Sequence, residues 1–147
     1  MGDLTRVRWK GRWRLCLGLL FTLLFQGCAL VGGAPIRAPT PEELAPGWTE
    51  TGIASWYGHP FHGRITASGE VYDMNDPTCA HQTLPFGTRL RVENLDNGRS
   101  TTLRVTDRGP FVGGRILDVS RKGAQELEMI GPGTARVRIT ILEVGGR

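Results

Sequence analysis

Two alternating segments on either side of a tight turn constrain this chain more than any other feature. In Thr88–Leu95, Leu90 and Val92 face one way and Arg89, Arg91 and Glu93 the other; Ser100–Asp107 repeats the pattern with Leu103 and Val105. An apolar–polar period of two is that of a strand with one buried face. Between the segments stands Asp96-Asn97-Gly98, and Asn-Gly tolerates the positive φ that a tight hairpin requires. The pair reads as an antiparallel hairpin laid on a core.

Other segments extend that pattern. Gly52–Tyr57 is rich in β-formers, Arg115–Val119 is a short strand, and Ala135–Val144 is a long one with Val137, Ile139 and Ile141 on one face. One helix fits, with Ser120 as N-cap and Ala124, Leu127 and Ile130 as an apolar stripe ending near Gly131-Pro132-Gly133. Several short strands and a single helix argue for a mainly β fold, a small closed or nearly closed barrel. Closure would also dispose of exposed strand edges. That matters here, because Cys79 is the one cysteine in this region and no internal disulfide can form. Cys79 itself reads as a small buried hydrophobe rather than a nucleophile.

The N-terminal part has a different character. The chain carries 18 basic and 14 acidic residues, but Arg6, Arg8, Lys10, Arg12 and Arg14 precede Cys28 against Asp3 alone. From Cys28 onward the two signs are equal in number, which removes a nucleic-acid reading of the folded part. The basic stretch followed by the apolar run Leu15–Phe25 and Gln26-Gly27-Cys28 has the shape of a secretory signal peptide. An uncleaved anchor is the alternative. Leu24-Phe25-Gln26-Gly27-Cys28 resembles a bacterial lipobox in its Gly-Cys step and departs from it at Phe25 and Gln26. The expectation is export, cleavage before Cys28, lipidation of Cys28, and a membrane anchor facing the periplasm; Ala29 favours the outer membrane by resemblance to Gram-negative lipoproteins. Residues 1–27 are then a signal peptide. Residues 28–50, with Pro35, Pro39, Pro41 and Pro46, form a tether, and residues 51–145 form the folded domain.

Loops hold most of the side chains capable of chemistry. His59, His62 and Arg64 fall in GHPFHGR, Glu70 and Asp73 in SGEVYD, His81 in CAHQT, and Asp107 and Arg108 in VTDRGPF. Asp107 ends an alternating strand just before Arg108-Gly109-Pro110, so its carboxyl can project from a barrel rim; it fits a plain turn cap as well. Cleaving a glycosidic bond needs a carboxyl that protonates the leaving oxygen, and hydrolases usually add a second to activate water or attack the sugar. A lyase manages with one, because the sugar's own hydroxyl replaces water. The aromatic residues Trp56, Tyr57, Phe61, Tyr72, Phe86 and Phe111 suit either a sugar-stacking surface or ordinary core filling. His59, His62 and His81 make only a weak metal pattern without a cysteine ligand.

Eight motifs then come in order: Gly52-Ile-Ala-Ser-Trp-Tyr-Gly58, Phe61-His-Gly-Arg64, Thr66-Ala-Ser-Gly-Glu70, Tyr72-Asp-Met74, Ala80-His81, Thr83-Leu-Pro-Phe-Gly-Thr88, Asn97-Gly-Arg99 and Asp107-Arg-Gly-Pro-Phe111. Together, over residues 51–145, they resemble the rare lipoprotein A family of endolytic peptidoglycan transglycosylases. The resemblance implies a six-stranded double-psi β-barrel of the barwin and expansin type with one short helix. It also implies lyase cleavage of the MurNAc–GlcNAc bond of peptidoglycan glycan strands, with formation of a 1,6-anhydro product. Carried onto matching positions, Asp107 is the general acid/base, Glu70 and Asp73 line the site and His81 hydrogen-bonds within it. Trp56, Tyr57, His62, Tyr72 and Arg108 are the candidate substrate contacts. No metal or organic cofactor and no nucleic acid follow, and a monomer is expected. Many family members carry a C-terminal SPOR module; this chain stops at Arg147, so the resemblance leaves septal targeting and a preference for stem-peptide-free glycan open. Cys79 stands where alanine is usual. The competing reading is a non-catalytic wall-binding or wall-loosening protein like the expansins, since a shared barrel does not decide function.

Overall fold

The structure is a computed structural model that describes Thr40 and residues 44–146; the expected signal peptide and the lipidation site at Cys28 lie outside the described residues. Six strands and one helix follow in the order β1 (Thr49–Tyr57), β2 (Thr78–His81), β3 (Arg89–Asn94), β4 (Ser100–Asp107), β5 (Arg115–Ser120), α1 (Arg121–Glu126) and β6 (Thr134–Glu143). The strands close in the order β1-β5-β2-β4-β3-β6. Two of the pairings, β1 with β5 and β2 with β4, are parallel, and the other four are antiparallel.

The expected hairpin is β3–β4. Leu90 pairs with Leu103 and Val92 with Thr101, and Gly98 takes a φ of +75° in the turn. Inward residues of the strands meet in one core: Ala54, Leu90, Val92, Leu103, Val105, Leu117, Val119, Val137, Ile139 and Ile141 are all essentially inaccessible. Cys79 lies among them as the small hydrophobe the sequence suggested, and burial pushes its thiol well above the usual range.

Three elements depart from the sequence reading. β2 has no alternation to announce it, because Thr78, Cys79, Ala80 and His81 are all buried. Helix α1 has the expected cap, Ser120 Oγ accepting from Gly123 N, but it ends at Glu126. Glu128 then adopts φ +53°, which turns the chain so that Met129 rather than Ile130 enters the core. Leu44 and Trp48, in the segment read as tether, pack on the barrel, and β1 starts at Thr49.

Candidate active site

The site is built on the outer face of β1, β5, β2 and β4. Cys79 pairs with Val105 on one side and Val119 on the other, all in the core, so its neighbour Ala80 looks outward. Register then places Asp107 beside Ala80 on β4, Asp118 beside it on β5, and Ser55 beside Asp118 on β1. Directly paired residues share a face, which makes Asp107, Ala80, Asp118 and Ser55 a row across four strands. Asp107 joins the row because β4 is bulged: the register steps from Val105 to Asp107 while β2 advances by one, and Thr106 is the extra residue. A bulge re-aims the side chain that follows it.

Asp107 is held by one oxygen. Its Oδ1 accepts from Ala67 N at 2.9 Å and from Arg108 N at 2.8 Å. Among the described residues Oδ2 accepts nothing. Ala67 belongs to a small hairpin, bridged at Ile65 and Val71, whose tip docks on β4 through Ser68 N to Thr106 O at 3.2 Å. The tip turn needs Gly69 at φ +89°. The same hairpin carries Glu70, whose two oxygens receive both Arg104 Nη groups at 2.8 Å. These bonds hold the Glu70 carboxyl below the usual carboxylate range.

Beyond Glu70, Asp73 Oδ1 accepts from Asn75 N at 2.8 Å and Asn75 Nδ2 at 3.1 Å. His62 Nδ1 lies 3.5 Å from that oxygen and accepts from Met74 N at 3.2 Å. Tyr57 and Tyr72 stack with centroids 4.4 Å apart, Phe61 stands edge-on to Tyr57, and Tyr72 Oη donates to Tyr57 O at 2.8 Å. Burial pushes the Tyr72 phenol up to about 12. Burial is also the main cause raising Tyr57, with smaller contributions from Tyr72, Asp107 and Asp118 among others. The Tyr57 Oη is buried without a hydrogen-bond partner. An open depression of about 260 Å³ continues the surface along β4, lined by Thr102 and Arg104 rather than Asp107.

Other candidates lie elsewhere. His81 is on the inward face of β2, level with Leu117 of the core. Its Nδ1 accepts from Thr83 N at 3.2 Å and Leu84 N at 3.1 Å, which leaves the ring proton on Nε2, 3.3 Å from Glu50 Oε2. Arg108 turns away from Asp107: Nη1 donates to the His81 and Leu84 carbonyls, and the guanidinium lies 3.7 Å above the Phe86 ring. Trp56 pairs with core Val119 and is half-buried against the core. The structure therefore gathers Asp107, Glu70 and Tyr57 on one outer surface, with Tyr72 buried against Tyr57 and with Asp73 and His62 at the edge. It sets His81, Arg108 and Trp56 behind as support.

The profile of the lytic transglycolase family matches residues 49–139. The chain belongs to this family. Curated relatives named endolytic peptidoglycan transglycosylase RlpA share its sequence: that of Campylobacter jejuni is 51% identical over 105 residues, 71% of this chain and 38% of the relative. The Neisseria meningitidis protein is 54% identical over 100 residues, 68% of this chain and 42% of the relative. The chain thus spans about two fifths of the length of these relatives. The fold is also that of the Streptomyces papain inhibitor, at TM-score 0.55 and 20% identity over 67% of this chain and 97% of the other. The Clavibacter michiganensis expansin follows at TM-score 0.54 and 16% identity, over 68% and 53%. These matches bear out the family and the double-psi barrel expected from the motifs.

Sequence reading missed Asp118, Ser55 and Arg104. The alternation of Leu117, Asp118 and Val119 marks Asp118 as outward-facing, but nothing local says which strand it will stand beside.

Proposed function

We propose that the protein is a lytic transglycosylase that cuts peptidoglycan glycan strands internally at MurNAc–GlcNAc bonds and leaves 1,6-anhydroMurNAc ends. The observation that carries this reading is the setting of Asp107, fastened through Oδ1 and open at Oδ2 on an outward row of the barrel. The names of the curated relatives and the family support it. Asp107 Oδ2 gives its proton to the glycosidic oxygen as the C1–O4 bond breaks. The C6 hydroxyl of the same MurNAc attacks C1, forms the C1–O6 bond and returns its proton to Oδ2. One acid/base completes the cycle and no water is consumed.

Around it, Glu70 serves as an oriented acceptor for a sugar hydroxyl or amide. Asp73 and His62 form the edge of the cleft. Phe61 and Tyr57, the latter backed by the buried Tyr72 ring, offer an aromatic wall for pyranose faces. His81 acts as a positioning residue: it fixes the turn after β2, whose carbonyls hold Arg108, the neighbour of Asp107. The chain is exported, lipidated on Cys28 and anchored to the outer membrane facing the periplasm, with the proline-rich segment as spacer. It works as a single copy, which suits a closed barrel with no free sheet edge.

Mass spectrometry of sacculi digested by residues 29–147 tests the reading. Anhydro-ended glycans from the wild type and none from Asp107→Asn are expected. Reducing-end products would make the protein a hydrolase. Retained binding without any product would make it a wall-binding protein.

A further inference from the structure

We propose that the depression along β4 is a carboxylate-binding subsite of the glycan cleft, in which Arg89 receives an acid group carried by a MurNAc of the bound strand. The inference rests on the peptidoglycan reading and deepens it. Strand register builds the subsite. Leu90 and Leu103 point into the core, so their neighbours Arg89, Arg91, Thr102 and Arg104 point outward. Arg89 pairs with Arg104, and Arg104 with Thr78 of β2, which makes Thr78, Arg104 and Arg89 a row across three strands. On β2 that row lies two residues from Ala80, the partner of Asp107. The backbone of Arg89 thus stands about 7 Å along the sheet from Asp107 and about 5 Å across it.

The depression of about 260 Å³ is lined by Asp76, Thr78, Arg89, Thr102 and Arg104 among others. A smaller hollow shares Asp76, Thr78 and Arg104 with it and continues to Glu70, Thr66 and Thr106, next to Asp107. A glycan lying over Asp107 therefore has a lined path along β4. The charges on that path differ in their commitments. Arg104 is spent on both oxygens of Glu70, and Asp76 adds to the negative charge acting on it. Arg89 is exposed and, among the described residues, has neither an ion pair nor a side-chain hydrogen bond. Glu143 of β6 pairs with it in register but forms no ion pair with it. Thr102 and Thr78 bring hydroxyls to the same lining, and that of Thr78 is buried without a partner. Arg89 is thus an uncommitted cation in a concave polar surface that adjoins the site.

Peptidoglycan supplies the complementary group. Every MurNAc bears a lactyl ether whose acid either stays free, on a peptide-free strand, or begins a stem peptide that itself carries carboxylates. A planar guanidinium takes a carboxylate through two parallel N–H···O bonds. The subsite holds a substituent away from Asp107, so it acts on the affinity and register of the strand and not on bond breaking.

The test is calorimetric binding of soluble glycan to the Asp107→Asn protein, which does not consume its ligand, with and without Arg89→Gln. Arg89 is exposed, so the substitution leaves the core untouched. The ligands are peptide-free strands, strands bearing stem peptides, and both with their carboxylates blocked as methylamides. Arg89→Gln should weaken binding about fivefold for one or both unblocked ligands and leave the blocked ones unchanged. The unblocked ligand that responds identifies the acid as lactyl or peptide. Unchanged affinity for every ligand overturns the proposal. An equal loss on blocked glycan overturns it too, by making Arg89 a contact to sugar. Arg91→Gln, on the same face but outside the lining, should weaken binding by less than about twofold, as a screened charge; a loss equal to that of Arg89→Gln overturns the site in favour of a general field. A wild type that binds glycan but makes no anhydro ends overturns the transglycosylase reading and leaves these arms to decide the subsite. A protein that binds none of the glycans overturns both.

Discussion

Asp107 is predicted to separate stability from turnover when it is replaced in two ways. Asp107→Asn leaves a carbonyl oxygen to accept from Ala67 N and Arg108 N and puts an NH₂ where Oδ2 stood. Fold and loop stay, and the transferable proton goes. A positioned general acid/base contributes about 10²–10⁴ in rate, so Asp107→Asn should lower kcat by at least 100-fold, about 3–5 kcal/mol of barrier. Asp107→Ala removes the acceptor as well. Ala67 N is exposed and recovers water, whereas Arg108 N lies in a part-buried place, so the loss is about 1–2 kcal/mol. For a domain of this size that lowers Tm by about 4 °C or more. The assay is thermal unfolding beside anhydro-product formation for both variants. Equal Tm for Asn and Ala would refute the anchoring of the 66–70 hairpin by Oδ1; an active Asp107→Asn would refute the acid/base assignment.

Three further outcomes follow from particular contacts. Glu70 is held below its ordinary value of 4.5 chiefly by hydrogen bonds from Arg104, so the stability it adds is present above about pH 4.5 and fades as pH falls through the folded value. Because both side chains are nearly half exposed, the gap between wild type and Glu70→Gln should stay below about 1 kcal/mol at neutral pH; in acid denaturation profiles it should close as the pH falls below 4.5 and Glu70 is protonated in the folded state, and a gap that widens there would refute the pairing. Gly123→Ala should destabilise, since its Cβ would lie 3.0 Å from Leu103 Cδ2 and 3.3 Å from Val119 Cβ, both buried in the packed core with little room to give. The overpacking cost of about 1–3 kcal/mol outweighs a helix-propensity gain of about 1 kcal/mol; denaturant unfolding showing a more stable variant would refute it. Nitrogen-15 NMR of His81 should find the proton on Nε2, as two amides donate to Nδ1, and an Nδ1-bound proton would contradict the geometry.

Much of this was legible in the chain itself, and the boundary falls where physics puts it. The β3–β4 hairpin, the Ser120 cap and the inward faces of β3, β4 and β6 depend on residues within a few positions of one another, so periodicity and turn chemistry reveal them. The ordered motifs marked the family, and with it Glu70, Asp73, His81 and Asp107. They did not show how those residues are arranged. β2 was invisible because four residues buried on both faces have no alternation. The bulge at Thr106 that aims Asp107, the turn of Arg108 toward Phe86, and the placing of His81 on the far side of β2 all arise from pairing between strands. Asp107 is fastened by an amide 40 positions away, and Asp118 by a hydroxyl 63 positions away. Such contacts form only when the barrel closes, and closure is set by the summed burial of the whole core rather than by any local signal. The sequence by itself thus determined which side chains could do the chemistry; only the tertiary structure decided which of them meet.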